Sequence, residues 1–308
     1  MNILVTGGAG YIGSLLIPQL LEKFNCKITI IDNLYFGISP ILYFISDSRI
    51  TFINGDVRDE ELMSKNVPKF DVIIHLAAIV GFPACSKDPT AALTINQHAT
   101  VSLCKKISEK QKLIYTSTGS SYGKIKGICD ETTPINPLTL YGKTKSIAEK
   151  ASLDVGGVGL RFATAYGVSP RMRLDLLVND FVYQAIHNKH IILYEGQFRR
   201  TFIHIKDIIE SIVFSLRNFN SMKGQAFNIG TETGNYTKLE IAQLIQKSVN
   251  YLLYKSDVGH DADERDYEVS YDKIEKLGFK CKINFQDGLD ELIKVLPQVK
   301  IHSQWKNA

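Results

Sequence analysis

Tyr141 and Lys145 stand four residues apart in a stretch with helical periodicity, which puts both side chains on one helix face. That pair suits proton transfer. A free phenol titrates near ~10, too high for an efficient base at neutral pH. An adjacent ammonium favours the phenolate and brings the group into range. A second group of residues suggests what such a base serves. Gly7-Gly8-Ala9-Gly10-Tyr11-Ile12-Gly13 follows a short apolar run and opens a helical one. Its G-x-x-G-x-x-G spacing sets Gly7, Gly10, Tyr11, Ile12 and Gly13 where a backbone turns tightly and meets a pyrophosphate. The helix start offers amide donors to the same phosphates. Asp32, followed by Asn33, ends the next strand-like run. An acid there accepts the adenosine ribose hydroxyls and repels a 2′-phosphate, so the expected cofactor is NAD and not NADP. Asp56 and Val57, after the third run, are placed to receive the adenine.

These residues need a scaffold, and the pattern around them supplies one. Asn2 to Thr6, Lys27 to Ile31, Thr51 to Ile53, Asp71 to His75, Lys112 to Thr116 and Gly157 to Arg161 read as strands. Helical stretches run from Tyr11 to Phe24, Pro89 to Glu109 and Pro137 to Ser152. Such alternation predicts an α/β protein with a Rossmann-type, doubly wound parallel sheet. Thr201 to Leu216 and Ala226 to Ile229 read again as helix and strand of the sheet layer. The expected division is a dinucleotide-binding domain of residues 1–165, to which 201–230 return. A smaller, discontinuous substrate-binding domain would comprise 166–200 and 231–308, with a cleft between the two.

Composition narrows the classes. The chain has 308 residues, 44% of them hydrophobic, and a formal charge of +4 from 36 basic and 32 acidic side chains. No basic block suggests a nucleic-acid partner, and no apolar run reaches membrane-spanning length. Cys26, Cys85, Cys104, Cys129 and Cys281 are scattered, without metal-ligand spacing. A cytoplasmic protein with no metal is expected. Cys85 and His204 are read as structural and not as a nucleophile and its base.

At the end of the fifth strand lies Ser117-Thr118-Gly119-Ser120-Ser121-Tyr122-Gly123, where open α/β sheets place substrate contacts. Together with Leu76-Ala77-Ala78, Arg161-Phe162 and Arg200-Thr201-Phe202-Ile203-His204, these motifs resemble the extended short-chain dehydrogenase/reductase family, in particular its nucleotide-sugar epimerases and dehydratases. The resemblance covers nearly the whole chain. It implies a catalytic triad of Thr118, Tyr141 and Lys145, with Thr118 bonding the sugar hydroxyl to be oxidised. It also implies a cofactor groove lined by Leu76, Ala77 and Ala78, a substrate nucleotide and diphosphate gripped by Arg200 and Arg265, and a homodimer paired through the Pro89 to Glu109 helix. Thr164, Arg171 and Arg173 join the expected substrate contacts. Arg171, Arg173, Arg199 and Arg200 form either a solvated basic face or a phosphate grip from two loops.

The family's 4,6-dehydratases carry an Asp-Glu pair after the catalytic Thr; Gly119 and Ser120 stand here and remove the acid and base that dehydration needs. The fucose-pathway epimerase-reductases carry a Cys where Gly119 stands. The implied activity is therefore an NAD-dependent 4-epimerisation of a nucleotide-diphosphate sugar. The alternative is a 4-dehydrogenase that releases the keto sugar, and more distantly a non-catalytic NAD sensor. Residues Ser169 to Asp180 resemble a subgroup containing GDP-heptose C4-oxidising enzymes as well as UDP-sugar epimerases, and Thr164 departs from the Asn of typical UDP-galactose 4-epimerases.

Overall fold

Short apolar runs such as Val72–His75, buried at every position, form strands that must be covered on both faces, and this is the signature of a parallel sheet. In chain order the strands are β1 (Asn2–Thr6), β2 (Lys27–Asp32), β3 (Ile50–Asn54), β4 (Val72–His75), β5 (Lys112–Thr118), β6 (Ile128–Cys129), β7 (Val158–Phe162), β8 (Thr164–Tyr166), β9 (His190–Leu193), β10 (Arg199–His204), β11 (Ala226–Ile229), β12 (Asn235–Thr237), β13 (Leu252–Lys255) and β14 (Glu268–Val269). The computed structural model describes residues 1–125, 127–256, 268–300 and 306–307.

Seven strands make one sheet in the order β11-β7-β5-β4-β1-β2-β3, with every neighbouring pair parallel. The chain winds outward in one direction from β1 to β3 and in the other from β4 to β11. The switch therefore falls between β1 and β4, and a crevice opens beyond their carboxyl ends. The main core joins strand residues Ile3, Val5, Ile28, Ile30 and Ile74 to the helix Gly13–Lys23 through Leu16, Ile17 and Leu20, and to the helix Ile205–Arg217 through Ile208, Ile209 and Ile212. A separate core gathers Val178, Val182, Phe202, Ile241, Phe285, Leu289 and Leu292. Around it lie the small sheet β12-β10-β8, the pair β13-β9 and the helices Leu177–His187, Lys238–Gln246 and Phe285–Val295.

Two elements differ from the sequence expectation. Thr201–His204 is strand and not helix: Arg199–Thr201 pair antiparallel with β12, and Phe202–His204 pair parallel with β8, before the helix begins at Ile205. The expected Pro89 to Glu109 helix becomes an α turn, a π-helix over Ala92–Ala99 and a last α segment ending at Cys104. Gln111 ends it early. Its side chain accepts from Ser108 N and donates to the carbonyls of Val67 and Phe70, which draws the chain into the next strand. Among the described residues no helix is long and apolar enough to cross a membrane.

Gly7 is a tight point of the sheet's carboxyl edge. Its φ is +72°, and a Cβ there would sit 2.6 Å from the backbone nitrogen of Ala77, which no side-chain adjustment can relieve. Gly7→Ala should lower the unfolding free energy in urea by at least ~1–2 kcal/mol, the left-handed conformational cost alone. A variant within about 0.5 kcal/mol of the parent would show that the turn gives way.

Candidate active site

The glycine turn is held by the strand it faces. Gly7 N donates to Ile31 O at 2.9 Å, and Gly10 N to Gly7 O at 3.2 Å. Asp32 does more than end β2: its Oδ2 accepts from Ala9 N at 2.9 Å and its Oδ1 from Leu34 N at 2.8 Å. Burial raises its carboxyl and these two amides oppose the rise. The helix Gly13–Lys23 begins with no side-chain cap and no acid in its first turn. Five other helices, starting after Asp59, Thr139, His204, Thr237 and Asn284, have side-chain caps. An uncapped helix start behind a glycine turn is a seat for a phosphate group, so this edge fits the pyrophosphate of a dinucleotide. Asp32 keeps one lone pair on each oxygen for a ribose.

The other expected cofactor residues are more varied in place. The Tyr11 side chain is buried and donates to Gly167 O at 2.9 Å, so only its backbone belongs to the turn. Ile12 precedes the helix. Asn33 donates to Asp56, whose carboxyl Arg58 hydrogen-bonds and holds down at about 2. Val57 packs in the core beside Met63 and Leu103. Leu76 N donates to Thr6 O at 3.0 Å, and Leu76, Ala77 and Ala78 are half-buried after β4.

Thr118 ends β5 and caps the turn that follows, its hydroxyl accepting from Ser120 N at 3.2 Å. The helix Leu140–Asp154, capped by Thr139, lies directly on that turn. Gly142 permits the approach, since a Cβ there would lie 3.0 Å from Ser120 O. Tyr141 is half-buried at the start of this helix. Lys145, one turn along, is 3% exposed, and burial brings its ammonium down to about 7 against the opposing pull of Glu149 and Cys85.

Below the pair lies a buried network that sequence spacing only hinted at. Glu149 continues the Tyr141, Lys145 row by one more turn, and Arg161 on β7 grips both its oxygens, at 2.7 to 3.1 Å. Arg161 also donates to the Tyr122 hydroxyl, which donates to Asn228 Oδ1 at 2.7 Å. Asn96, inside the π-helix, both accepts from Ile79 N and donates to Ile79 O at 2.8 Å, and reaches Thr144 on the helix of Tyr141. Cys85 donates to Ile79 O at 3.4 Å, and burial pushes its thiol up to about 11. His204 N-caps its helix with Nδ1.

The four arginines do not share one cleft. Arg199 and Arg200 line it with Gly119, Phe162, Asn228 and Tyr271. Arg171 is 2% exposed, stacks on the Phe36 ring at 3.6 Å and donates to Asn307 Oδ1 at 2.6 Å. Arg173 pairs with Asp175. Thr164 is half-buried on β8, opposite Phe202. Arg265 lies outside the described residues.

Known proteins are similar to this chain in sequence and fold. The NAD-dependent epimerase/dehydratase family profile matches residues 3–230. A putative UDP-glucose 4-epimerase of Methanocaldococcus jannaschii is 28% identical, covering 94% of this chain and 97% of that protein. A dTDP-glucose 4,6-dehydratase of Streptomyces niveus is 29% identical, covering 96% and 92%. The crystal structure of a UDP-glucuronic acid 4-epimerase from Bacillus cereus, in complex with UDP-glucuronic acid and NAD, is 28% identical and superposes with a TM-score of 0.85, covering 97% of this chain and 99% of that one.

Glu149→Ala leaves the Arg161 guanidinium buried without a counter-charge. The expected loss is about 3–5 kcal/mol of unfolding free energy, read from urea melts. A loss under about 1 kcal/mol would mean that water reaches the arginine.

Proposed function

The chain belongs to the NAD-dependent epimerase/dehydratase family and is an NAD-dependent enzyme of the extended short-chain dehydrogenase/reductase type, and we propose that it is a nucleotide-diphosphate-sugar 4-epimerase. The observation that carries this reading over dehydration is the turn after β5. Thr118 is followed by Gly119 and Ser120, and the described residues lining the adjacent cleft include no carboxylate. A dehydratase needs an acid and a base at the sugar; this cleft offers Arg161, Arg199, Arg200, Thr201 and Tyr271, with Gly119 next to Thr118.

Bound NAD supplies the hydride acceptor and, once reduced, the donor. The residues proposed to hold it are those of the glycine turn, Asp32 and the Leu76-Ala77-Ala78 segment. Thr118 is assigned to the C4 oxygen, and Tyr141 takes the C4 hydroxyl proton and later returns it. The Lys145 ammonium favours the phenolate over the phenol. Arg200 is assigned to the diphosphate, which a guanidinium fork matches. Returning hydrogen to the opposite face of the keto sugar gives the epimer. Leu93 and Ile147, exposed on two helices that pack together, are the apolar side chains we assign to contact with a second copy.

Proton NMR of UDP-, GDP- and dTDP-sugars incubated with enzyme and NAD tests the reaction. A second sugar at a stable ratio, without net reduced nicotinamide, is expected. Loss of the H4 signal with accumulating NADH would instead make the enzyme a 4-dehydrogenase. Tyr141→Phe should lower turnover by a factor of about 10²–10⁴ while NAD affinity stays within about twofold. Unchanged turnover would remove Tyr141 from the mechanism.

A further inference from the structure

Lys145 is a buried cation with no ion pair of its own among the described residues. The nearest acid on its helix, Glu149, has both oxygens engaged by Arg161. What the ammonium meets is an aromatic face: its Nζ lies 4.2 Å from the centroid of the Tyr115 ring. At that distance a desolvated cation is attracted by the ring's quadrupole. Tyr115 is 1% exposed, sits on β5 three residues before Thr118, and its hydroxyl reaches back to Lys145 O at 3.5 Å.

The ring is itself fixed. His75 lies nearly parallel to it, with centroids 6.0 Å apart and 26° between planes. Thr6 Oγ1 is 2.6 Å from His75 Nδ1, and Thr100 Oγ1 is 2.9 Å from Nε2. Thr100 donates its hydroxyl proton to Asn96 O, so it accepts from Nε2, and Thr6 donates to Nδ1. This is a neutral imidazole with both nitrogens in use. Burial, and then Lys145, keep its protonation down at about 3, so no second cation shares the ring.

We propose that Tyr115 is a positioning residue for the reaction: its ring face seats the Lys145 ammonium beside Tyr141, with His75 and its two threonines fixing the ring. The proposal rests on Tyr141 and Lys145 being the proton-transfer pair. The groups shown to bear on Lys145 are Tyr115 from β5, His75 from β4, Cys85 from the helix Phe82–Lys87, and Glu149 from its own helix, on which Tyr141 stands one turn before. His75 and Cys85 are neutral near pH 7, and Glu149 is shared with Arg161. Glu149 and Cys85 also favour the charged lysine through space, and the ring is the group whose face the ammonium meets directly.

The test follows lysine ¹³Cε shifts against pH in uniformly lysine-labelled full-length protein, with Lys145 assigned by its absence in Lys145→Met. Tyr115→Phe keeps the face and should keep the parent's midpoint. Tyr115→Leu removes the face and should lower the midpoint by about one pH unit, a tenfold loss in ammonium stability. An unmoved midpoint in a folded Tyr115→Leu protein would overturn the proposal. Should that variant not fold, the parent alone decides: the Lys145 Hε resonances must lie upfield of the other lysines, and unshifted signals would refute the seat. On whichever sugar of the UDP, GDP and dTDP panel the parent turns over, Tyr115→Leu should lose about tenfold in kcat at neutral pH with KM little changed. A midpoint that moves without loss of kcat would deny the ring any part in the reaction. Turnover retained by Tyr141→Phe would sink the proton-transfer reading separately, and the titration would still report on the ring.

Discussion

The arrangement of the active site depends on one buried ion pair, Arg161 with Glu149, whose side chains are 5% and 2% exposed. Two charges taken out of water tolerate each other's absence poorly, so the elements that carry them must meet in one way. β7 carries the arginine, and the helix of Tyr141 and Lys145 carries the glutamate. The turn beside Thr118 joins through Tyr122, β11 joins through Asn228, and Asn228 donates in turn to Ser270 O. A one-residue slip of β7 against β5 would send Arg161 to the other face of the sheet and strand Glu149 in the core. The pair thereby fixes the height of the helix of Tyr141 and Lys145 above the sheet to within a residue.

A similar economy governs the cofactor edge. The carboxylate of Asp32 ties the glycine turn to the end of β2 through Ala9 and ties the following loop through Leu34. The group expected to choose between ribose and ribose phosphate is thus also the group that shapes the turn. A change made to alter cofactor preference at this position disturbs the glycine turn as well.

Much of this was legible in the sequence because its causes are local. Parallel strands buried on both faces appear as unbroken apolar runs, and the glycine turn and the Tyr-x-x-x-Lys row are set by spacing within a few residues of each other. Tyr115 and His75 could not be read, because an aromatic or a histidine in a buried strand looks like ordinary core until the β4–β5 register puts them side by side. The end of the Pro89 helix was decided by Gln111 reaching carbonyls more than forty residues earlier in the chain. Thr201 to His204 carries residues that suit either helix or strand, and partners from β8 and β12 decided the matter. Arg171 and Arg200, neighbours in composition, fold into different surroundings for the same non-local reason.

β11 ends the sheet, and a sheet's last strand normally offers unpaired amides and carbonyls to any passing chain. Here two of those groups are taken. Asn228 N donates to the Glu131 carboxylate at 2.7 Å, and Lys273 Nζ donates to Ala226 O at 2.8 Å. Charged side chains from distant segments occupy places that a further strand would need, and the helix Asp272–Glu275 packs against the same strand. Two copies of this protein therefore cannot fuse their sheets edge to edge across β11 without first breaking these bonds, which gives the fold a built-in resistance to fibrous self-association at that border.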